Sequence, residues 1–190
     1  LYKTGYALSW NFDAIWNIQE GDTVAYLRNV TKPDTVNKEN INYQEFDVEG
    51  NGTVNNPYII KTAVQLQKMN ENLEAHYKLG NDIDLEWIDW IPVGNATYPF
   101  KGTLDGNEKT IKNLNLDKTG TDNVGLFGYS TGTIKNLKIE NFNVKGNQNT
   151  GTLVGYSAGI LSGINLKNVE VIGANNTGAL AGQNIGTTSN

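Results

Sequence analysis

A gapless repeat of 27 residues constrains the fold of this chain more than any other feature. Residues 123–149 are followed by a second copy over 150–176, and a third copy starts at residue 177. Leu126, Leu153 and Leu180 occupy one column of the alignment, and glycines fill others. A fixed period in the twenties indicates one structural unit per repeat, with each unit stacked on its neighbours.

The pattern inside each repeat predicts short β-strands. Apolar and polar residues alternate over 137–144 and again over 164–171, which is typical of strands with one buried face. Stacking the copies puts Leu137 over Ile164 and closes a continuous core. Asn141 over Asn168 would form a ladder of side-chain amides at a turn. We therefore predict an all-β fold, a right-handed parallel β-helix, which is a solenoid.

Earlier coils are expected from weaker matches. Residues 110–116 (TIKNLNL) recur as 133–139 (TIKNLKI), and 83–85 match 114–116 in pattern. On this alignment Glu86, Asp117 and Glu140 form one outward column of acids, which would repel each other or attract a cation such as Ca²⁺. Nearby lysines could neutralise the column instead, and we favour that interpretation.

Residues 62–73 (TAVQLQKMNENL) predict one amphipathic helix. Thr62 and Gln65 have the spacing of a capping box, and Leu66 and Met69 lie on its apolar face. The first coil of a β-helix exposes an unpaired edge, so we expect this helix to cap it.

Composition excludes several function classes. The net charge of −5 argues against nucleic-acid binding, which needs a basic face. No apolar run is long enough to span a membrane. Without cysteine there can be no disulfide or thiolate metal site, and His76 alone cannot supply a zinc-binding histidine pair. The sequence predicts no cofactor.

Residues 56–190 resemble the GLUG-motif proteins. The segments that carry the resemblance are NNPYIIKTAVQLQKMNENLEAHYKLGNDIDL, PFKGTLDGNEKTIKNL, NVGLFGY and TGTLVGY. The resemblance implies a parallel β-helix on an extracellular or cell-surface protein of the adhesin-like kind. The motif also precedes the catalytic part of some immunoglobulin-A-cleaving metallopeptidases.

Residues 1–32 resemble the segment that usually ends such a repeat region, and residues 33–55 form a polar connector to the β-helix at 56–190. We expect this end-cap-like segment to cover the open coil at Leu180 of another copy, giving head-to-tail assembly into a filament or surface layer. Alternatively, it belongs to a neighbouring module of a longer polypeptide or folds back on its own chain. The apolar residues expected to make this contact are Trp10, Phe12, Ile15, Trp16 and Ile18.

The function we predict is a non-catalytic structural module acting in adhesion or assembly. The alternative is a polysaccharide lyase or hydrolase, since such enzymes need carboxylates on neighbouring coils. Exposed aromatics could bind carbohydrate or a host surface, although stacking for stability explains them equally well. The candidate acids are Asp82, Asp84, Glu86, Asp89 and Asp105, and the aromatics are Trp87, Trp90, Tyr98, Tyr129 and Tyr156.

Four Asn-x-Thr sequons are candidates for N-glycosylation. They begin at Asn29, Asn51, Asn95 and Asn175.

Overall fold

The computed structural model describes residues 48–189 and two short strands nearer the N-terminus. The chain divides into two compact units, residues 1–42 and residues 43–190. In the first unit, β1 (Trp16–Asn17) pairs antiparallel with β2 (Tyr26–Leu27). The predicted boundaries at residues 32 and 55 remain predictions.

The second unit contains fourteen of the described strands, one α-helix and one 3₁₀ turn. The helical elements are α1 (Ala63–Gln67) and the 3₁₀ turn Lys68–Glu71. The strands are β3 (Tyr58–Ile60), β4 (His76–Leu79), β5 (Ile83–Asp84), β6 (Thr103–Asp105), β7 (Thr110–Lys112), β8 (Asn115–Asp117), β9 (Phe127–Ser130), β10 (Thr133–Lys145), β11 (Gln148–Gly151), β12 (Val154–Ser157), β13 (Ile160–Ile172), β14 (Asn175–Gly178), β15 (Ala181–Asn184) and β16 (Thr187–Ser189).

The strands of this unit stack in parallel, one turn of the chain above the next. The largest sheet runs in the order β16-β13-β10-β6-β4-β3. Two smaller sheets, β15-β12-β9 and β11-β14, form the other faces of the later turns. We call each turn of the chain a rung. The strand β10 lies over β6, β7 and β8 along its length and is itself covered by β13. The predicted parallel β-helix is confirmed.

The register of the 27-residue repeat is as predicted. Leu137 pairs with Ile164, and Phe142 with Val169. Leu153 lies in the column predicted for it, since its amide donates to the carbonyl of Leu180 and the next residue, Val154, pairs with Phe127.

The alignment of the earlier coils was wrong. Residues 110–112 lie under 138–140, not under 133–135, and 133–135 lie over 103–105. Likewise Ile83 pairs with Ile111. The matching TIKNL segments occupy neighbouring strand positions along the rung and not the same position. The core positions set the register, because a shifted strand would misplace its buried residues.

Asparagines form most of the corners between strands. Asn113, Asn141 and Asn168 all have positive φ, and so do Asn123, Asn149 and Asn176, with values between 50° and 62°. Asparagine tolerates the left-handed region better than other residues with a Cβ. Each such residue therefore bends the strand without a glycine, and its side chain remains available for stacking.

One column of glycines is required by close backbone contact. A Cβ on Gly132 would lie 2.2 Å from the carbonyl oxygen of Gly102, and one on Gly159 would lie 1.9 Å from that of Gly132. The same holds for Gly186 over Gly159, at 2.0 Å. The rungs approach so closely here that any side chain would push them apart, which explains why the repeat retains glycine in this column.

The core is a continuous apolar stack inside the rungs. Aromatic rings run along it, with centroids of Tyr77 and Phe100 6.4 Å apart and those of Phe100 and Phe127 5.0 Å apart. Leu126 and Leu153 are fully buried. A single rung has no second layer of its own, so this burial depends on its neighbours.

The helix closes the N-terminal side of the core. The capping box is confirmed, since the Thr62 hydroxyl accepts from the amide of Gln65 and the Gln65 side chain accepts from the amide of Thr62. Leu66 and Met69 are buried in the same core as Ile60.

Polar side chains of the helical segment also satisfy the exposed main chain of residues 91–94. The Gln67 amide both donates to and accepts from the main chain of Ile91, each at 2.9 Å, and Asn70 Oδ1 accepts from the amide of Gly94 at 3.0 Å. Residue 93 pairs with Phe127 of the next rung. The helical side chains thus take the place that another strand would occupy, which protects this edge.

We expect Leu153→Ala to lower the free energy of unfolding by roughly 2–5 kcal/mol, because rungs on both sides hold the cavity open. Leu180→Ala is the matched control: it changes the same column in the outermost described rung, where Leu180 is only partly buried. Urea unfolding followed by circular dichroism would measure both. Equal losses for the two variants would contradict the stacked-column interpretation.

Candidate functional site

The most regular polar feature is a ladder of asparagine side chains at one corner. Asn168 Nδ2 donates to Asn141 Oδ1 at 3.2 Å, and Asn141 Nδ2 donates to Asn113 Oδ1 at 3.1 Å. Asn113 Nδ2 then donates to both oxygens of Asp84, at 3.0 and 3.1 Å. The predicted amide ladder is confirmed and extends two rungs further, through Asn113 to the carboxylate of Asp84.

A second ladder occupies another corner. Asn176 Nδ2 donates to Asn149 Oδ1 at 3.0 Å, and Asn149 Nδ2 donates to Asn123 Oδ1 at 2.9 Å. Its direction is the same as that of the first ladder. The left-handed backbone at each of these residues places identical side chains one above another, where an amide can donate to one neighbour and accept from the other.

Charged residues alternate in sign along the rungs. Asp84 pairs with Lys112, Lys112 with Glu140 and Glu140 with Lys167 in successive strands. Lys112 Nζ lies 3.3 Å from Asp84, and Lys167 Nζ contacts Glu140 directly. Such exposed pairs each contribute little to stability, about 0–1 kcal/mol. Their main effect is to prevent like charges from stacking at strand spacing.

The predicted acidic column of Glu86, Asp117 and Glu140 is not formed, which is a correction. It rested on the wrong alignment, and in the true register Asp117 pairs with Lys145. Within residues 48–189 no three acidic, histidine or cysteine side chains are grouped as metal ligands. These three candidates therefore do not meet at one Ca²⁺ site.

Two of the acids proposed for catalysis are held in their charged state. Hydrogen bonds from the amide of Glu86 and from Asn113 hold the pKa of Asp84 below its usual value, and Lys112 adds to the effect. Burial alone would raise the pKa of Asp105. The amide of Asn107, the side chain of Asn136 and Lys135 together outweigh it and lower that pKa.

The remaining acids of this group are scattered. Asp82 accepts from the amide of Thr110 at 2.8 Å, which fixes two rungs together. Asp89 is fully exposed and lies 3.5 Å from Lys118. Glu86 is exposed and contributes only its backbone amide to the hydrogen bonds of this region.

The aromatic candidates divide into three kinds. Tyr129 and Tyr156 stack outward on adjacent rungs, 4.4 Å between centroids and 18° from parallel, so each ring covers one face of the other. Trp90 is buried and donates to the carbonyl of Leu126, which excludes it from a binding surface. Trp87 and Tyr98 are 93% and 68% exposed.

A cavity of about 240 Å³ lies near the helical segment. The hydroxyl of Tyr77 donates to the carbonyl of Asn72 at 2.7 Å, and burial raises the pKa of Tyr77 to about 12. A phenol so hard to ionise is unsuited to acid–base chemistry at neutral pH. The cavity is lined by Val48, Tyr58, Ile60, Gln65, Lys68, Glu71, Asn72 and Tyr77.

The assembly candidates are mostly outside the described residues. That is true of Trp10, Phe12, Ile15 and Ile18, and of the side chain of Trp16 in β1. Leu180 is partly buried, packed against the core in the outermost described rung. The helical segments described in this structure include none long and apolar enough to cross a membrane.

Comparisons with known proteins give relatives but no family. No family model matches the chain, so the likeness to GLUG-motif proteins stays a resemblance. Halomucin of Haloquadratum walsbyi is 39% identical over 120 residues, covering 55% of this chain. A protein named as a Gly-rich membrane protein, from Evansella cellulosilytica, is 34% identical over 100 residues, covering 47% of this chain. The chain spans 1% and 12% of the lengths of these two relatives.

One solved structure has a similar fold. It is a Bacteroides ovatus protein named as an immunoglobulin A1 protease, with a TM-score of 0.52 and 24% identity. The match covers 74% of this chain and 56% of that chain. At this identity the likeness shows the β-solenoid fold alone.

The lowered pKa of Asp105 predicts a loss of stability in acid. Its unfolded pKa is about 3.9, so its stabilising contribution is present above about pH 4 and is lost as the pH falls through the folded value. We expect Asp105→Asn to unfold with a smaller change in midpoint between pH 7 and pH 3 than the unmodified chain. Thermal unfolding at both pH values measures this. Asp89→Asn, at an exposed carboxylate, is the control that should leave the difference unchanged.

Proposed function

We propose that this chain is a non-catalytic structural module of an extracellular or cell-surface protein, acting in adhesion or in head-to-tail assembly of a filament or surface layer. The observation that carries the proposal is that the polar side chains of the rungs bond to one another from rung to rung. Asp84 and Asp105, the carboxylates best placed for chemistry, are bonded to lysine and asparagine of the neighbouring rung.

The relatives support a surface location. One is a halomucin and the other is named as a membrane protein. The first name contains the word mucin, the second describes a membrane protein, and neither describes an enzyme. Because this chain matches a small part of each, we propose that it works as one module within a longer surface polypeptide.

The alternative, a polysaccharide lyase or hydrolase, is disfavoured by the charge state of its acids. A hydrolase needs one carboxylic acid with a raised pKa to protonate the leaving group. Among the candidate acids, Asp84 and Asp105 have lowered pKa values instead, which argues against a hydrolase.

We therefore expect no depolymerisation of acidic or neutral polysaccharides by the purified chain. Reducing-end release and absorbance of unsaturated uronates would detect hydrolase and lyase activity respectively. Asp84→Asn and Asp105→Asn are the variants to compare with the unmodified chain. Depolymerisation by the unmodified chain that disappears in either variant would overturn the non-catalytic assignment.

The assembly part of the proposal rests on the part of β13 that no later described strand covers, since β16 pairs only with Ile160–Ser162. Ile164, Leu166 and Val169 are partly exposed there, whereas the residues one rung earlier that pair with them, including Leu137, are buried. In addition, Asn168 Oδ1 accepts no hydrogen bond within the described residues. This face presents apolar surface and open acceptors to another copy or a neighbouring module.

For adhesion to carbohydrate we favour an aromatic outside the Tyr129–Tyr156 stack. Sugar rings stack on the faces of aromatic rings, and Tyr129 and Tyr156 each cover one face of the other. The indole of Trp87 is the most exposed aromatic surface of residues 48–189 and is our candidate for such a contact.

Assembly predicts an average mass that rises with protein concentration in light scattering after gel filtration. Leu166→Lys should abolish the rise by placing a charge on the exposed rung face. The control is Ile160→Lys, which adds the same charge at an exposed position beside buried Leu161 and should assemble normally. A Trp10→Ala, Trp16→Ala double variant tests the predicted partner segment. A chain that stays monomeric at high concentration would contradict the assembly proposal.

A further inference from the structure

We infer that Asn95 is a site of N-linked glycosylation. The inference rests on the proposed extracellular location and goes beyond it, because it assigns a covalent modification to one asparagine. The modifying group would be a glycan carried on a polyprenyl pyrophosphate, the usual donor to Asn-x-Thr sequons. The sequence here is Asn95-Ala96-Thr97, with no proline at the middle position.

The first argument is the place of the sequon in the fold. Val93 pairs with Phe127 and Phe100 pairs with Ser130 in the next rung. Six residues lie between Val93 and Phe100, but only two lie between their partners Phe127 and Ser130. The earlier rung therefore carries four extra residues at this point. Asn95, Ala96, Thr97 and Tyr98 are all exposed, while Gly94 and Phe100 on either side are buried. The sequon therefore occupies an excursion that contributes nothing to the core.

The second argument is the state of the reacting groups. Asn95 Oδ1 accepts from the amides of Thr97 and Tyr98, both at 2.9 Å. Neither Asn95 Nδ2 nor the Thr97 hydroxyl makes a hydrogen bond with the described residues. The amide nitrogen that reacts and the hydroxyl that the transferase recognises are both free. Glycosylation retains the amide oxygen, so the bonds that shape the turn survive it.

The other described sequons are also exposed, but their groups are engaged in rung structure. At Asn51 the Thr53 hydroxyl donates to Asn51 Oδ1 at 2.8 Å, and the Gly52 carbonyl accepts from the amide of His76. Asn175 is the first residue of β14, whose strand pairs with β11. Both sequons are thus engaged in rung structure, and Asn29 lies outside the described residues.

The step balances without an oxidant or reductant. Asn95 Nδ2 forms a bond to the anomeric carbon of the first sugar, and the bond from that carbon to the pyrophosphate oxygen breaks. The leaving group is the polyprenyl pyrophosphate, and the amide loses one proton to a base of the transferase.

The test is secretion of the full 190-residue chain, behind a cleavable leader, from yeast cells that transfer lipid-linked glycans. Enzymatic release of the glycan in ¹⁸O water marks each occupied asparagine as aspartate, and peptide mass spectrometry reads the position. The variants are Thr97→Ala, which destroys the sequon but keeps the Asn95 side chain and its turn, and Thr97→Ser, which keeps the sequon.

We expect Asn95 to be occupied in the secreted chain and in Thr97→Ser, with at least a tenfold loss of occupancy in Thr97→Ala. Secreted, folded chain with unmodified Asn95 would overturn the inference, and so would equal occupancy in the two variants. The assembly and depolymerisation measurements use chain made without glycosylation, so either proposal can fail while the other stands.

Discussion

Everything in this β-helix depends on the parallel stacking of one rung on the next at strand spacing. At a spacing of about 4.8 Å each side chain faces its counterpart in the neighbouring rung. The side chains that follow one another in a column must therefore be able to contact each other favourably. The structure shows four solutions. Apolar residues pack on apolar residues, amides hydrogen-bond to amides, charges alternate in sign, and glycines leave room where backbones touch.

This constraint explains why the fold was predictable and where prediction failed. From residue 127 onward the period is constant at 27, so Leu137 over Ile164 and Asn141 over Asn168 could be read directly from the alignment. In the earlier rungs the register changes from 27 to 28 and 30 residues, and the similar TIKNL segments suggested a false match. Local similarity cannot separate strands at neighbouring positions of a rung from strands that stack, because both have the same alternation of buried and exposed residues.

The chemistry of the polar residues was harder to predict than the fold. The sequence placed acids on an outward face and favoured nearby lysines as their partners, which is right, but it could not assign which lysine pairs with which acid. That pairing depends on offsets of 28 and 27 residues, which follow only from the true register of Asp84, Lys112, Glu140 and Lys167. Trp90 was also unpredictable as a core residue, since its burial depends on a contact with Leu126 far along the chain.

The asparagine ladders also give the module a chemical direction. In both ladders each amide nitrogen points toward the N-terminal side and each oxygen toward the C-terminal side. The first ladder is closed on one side by a carboxylate, Asp84, which can only accept. A rung approaching the other side must bring donors, and one that arrived reversed would set oxygen against oxygen. The asparagines at the corners therefore favour the addition of a further rung in only one orientation, with its side-chain amide donors facing the ladder.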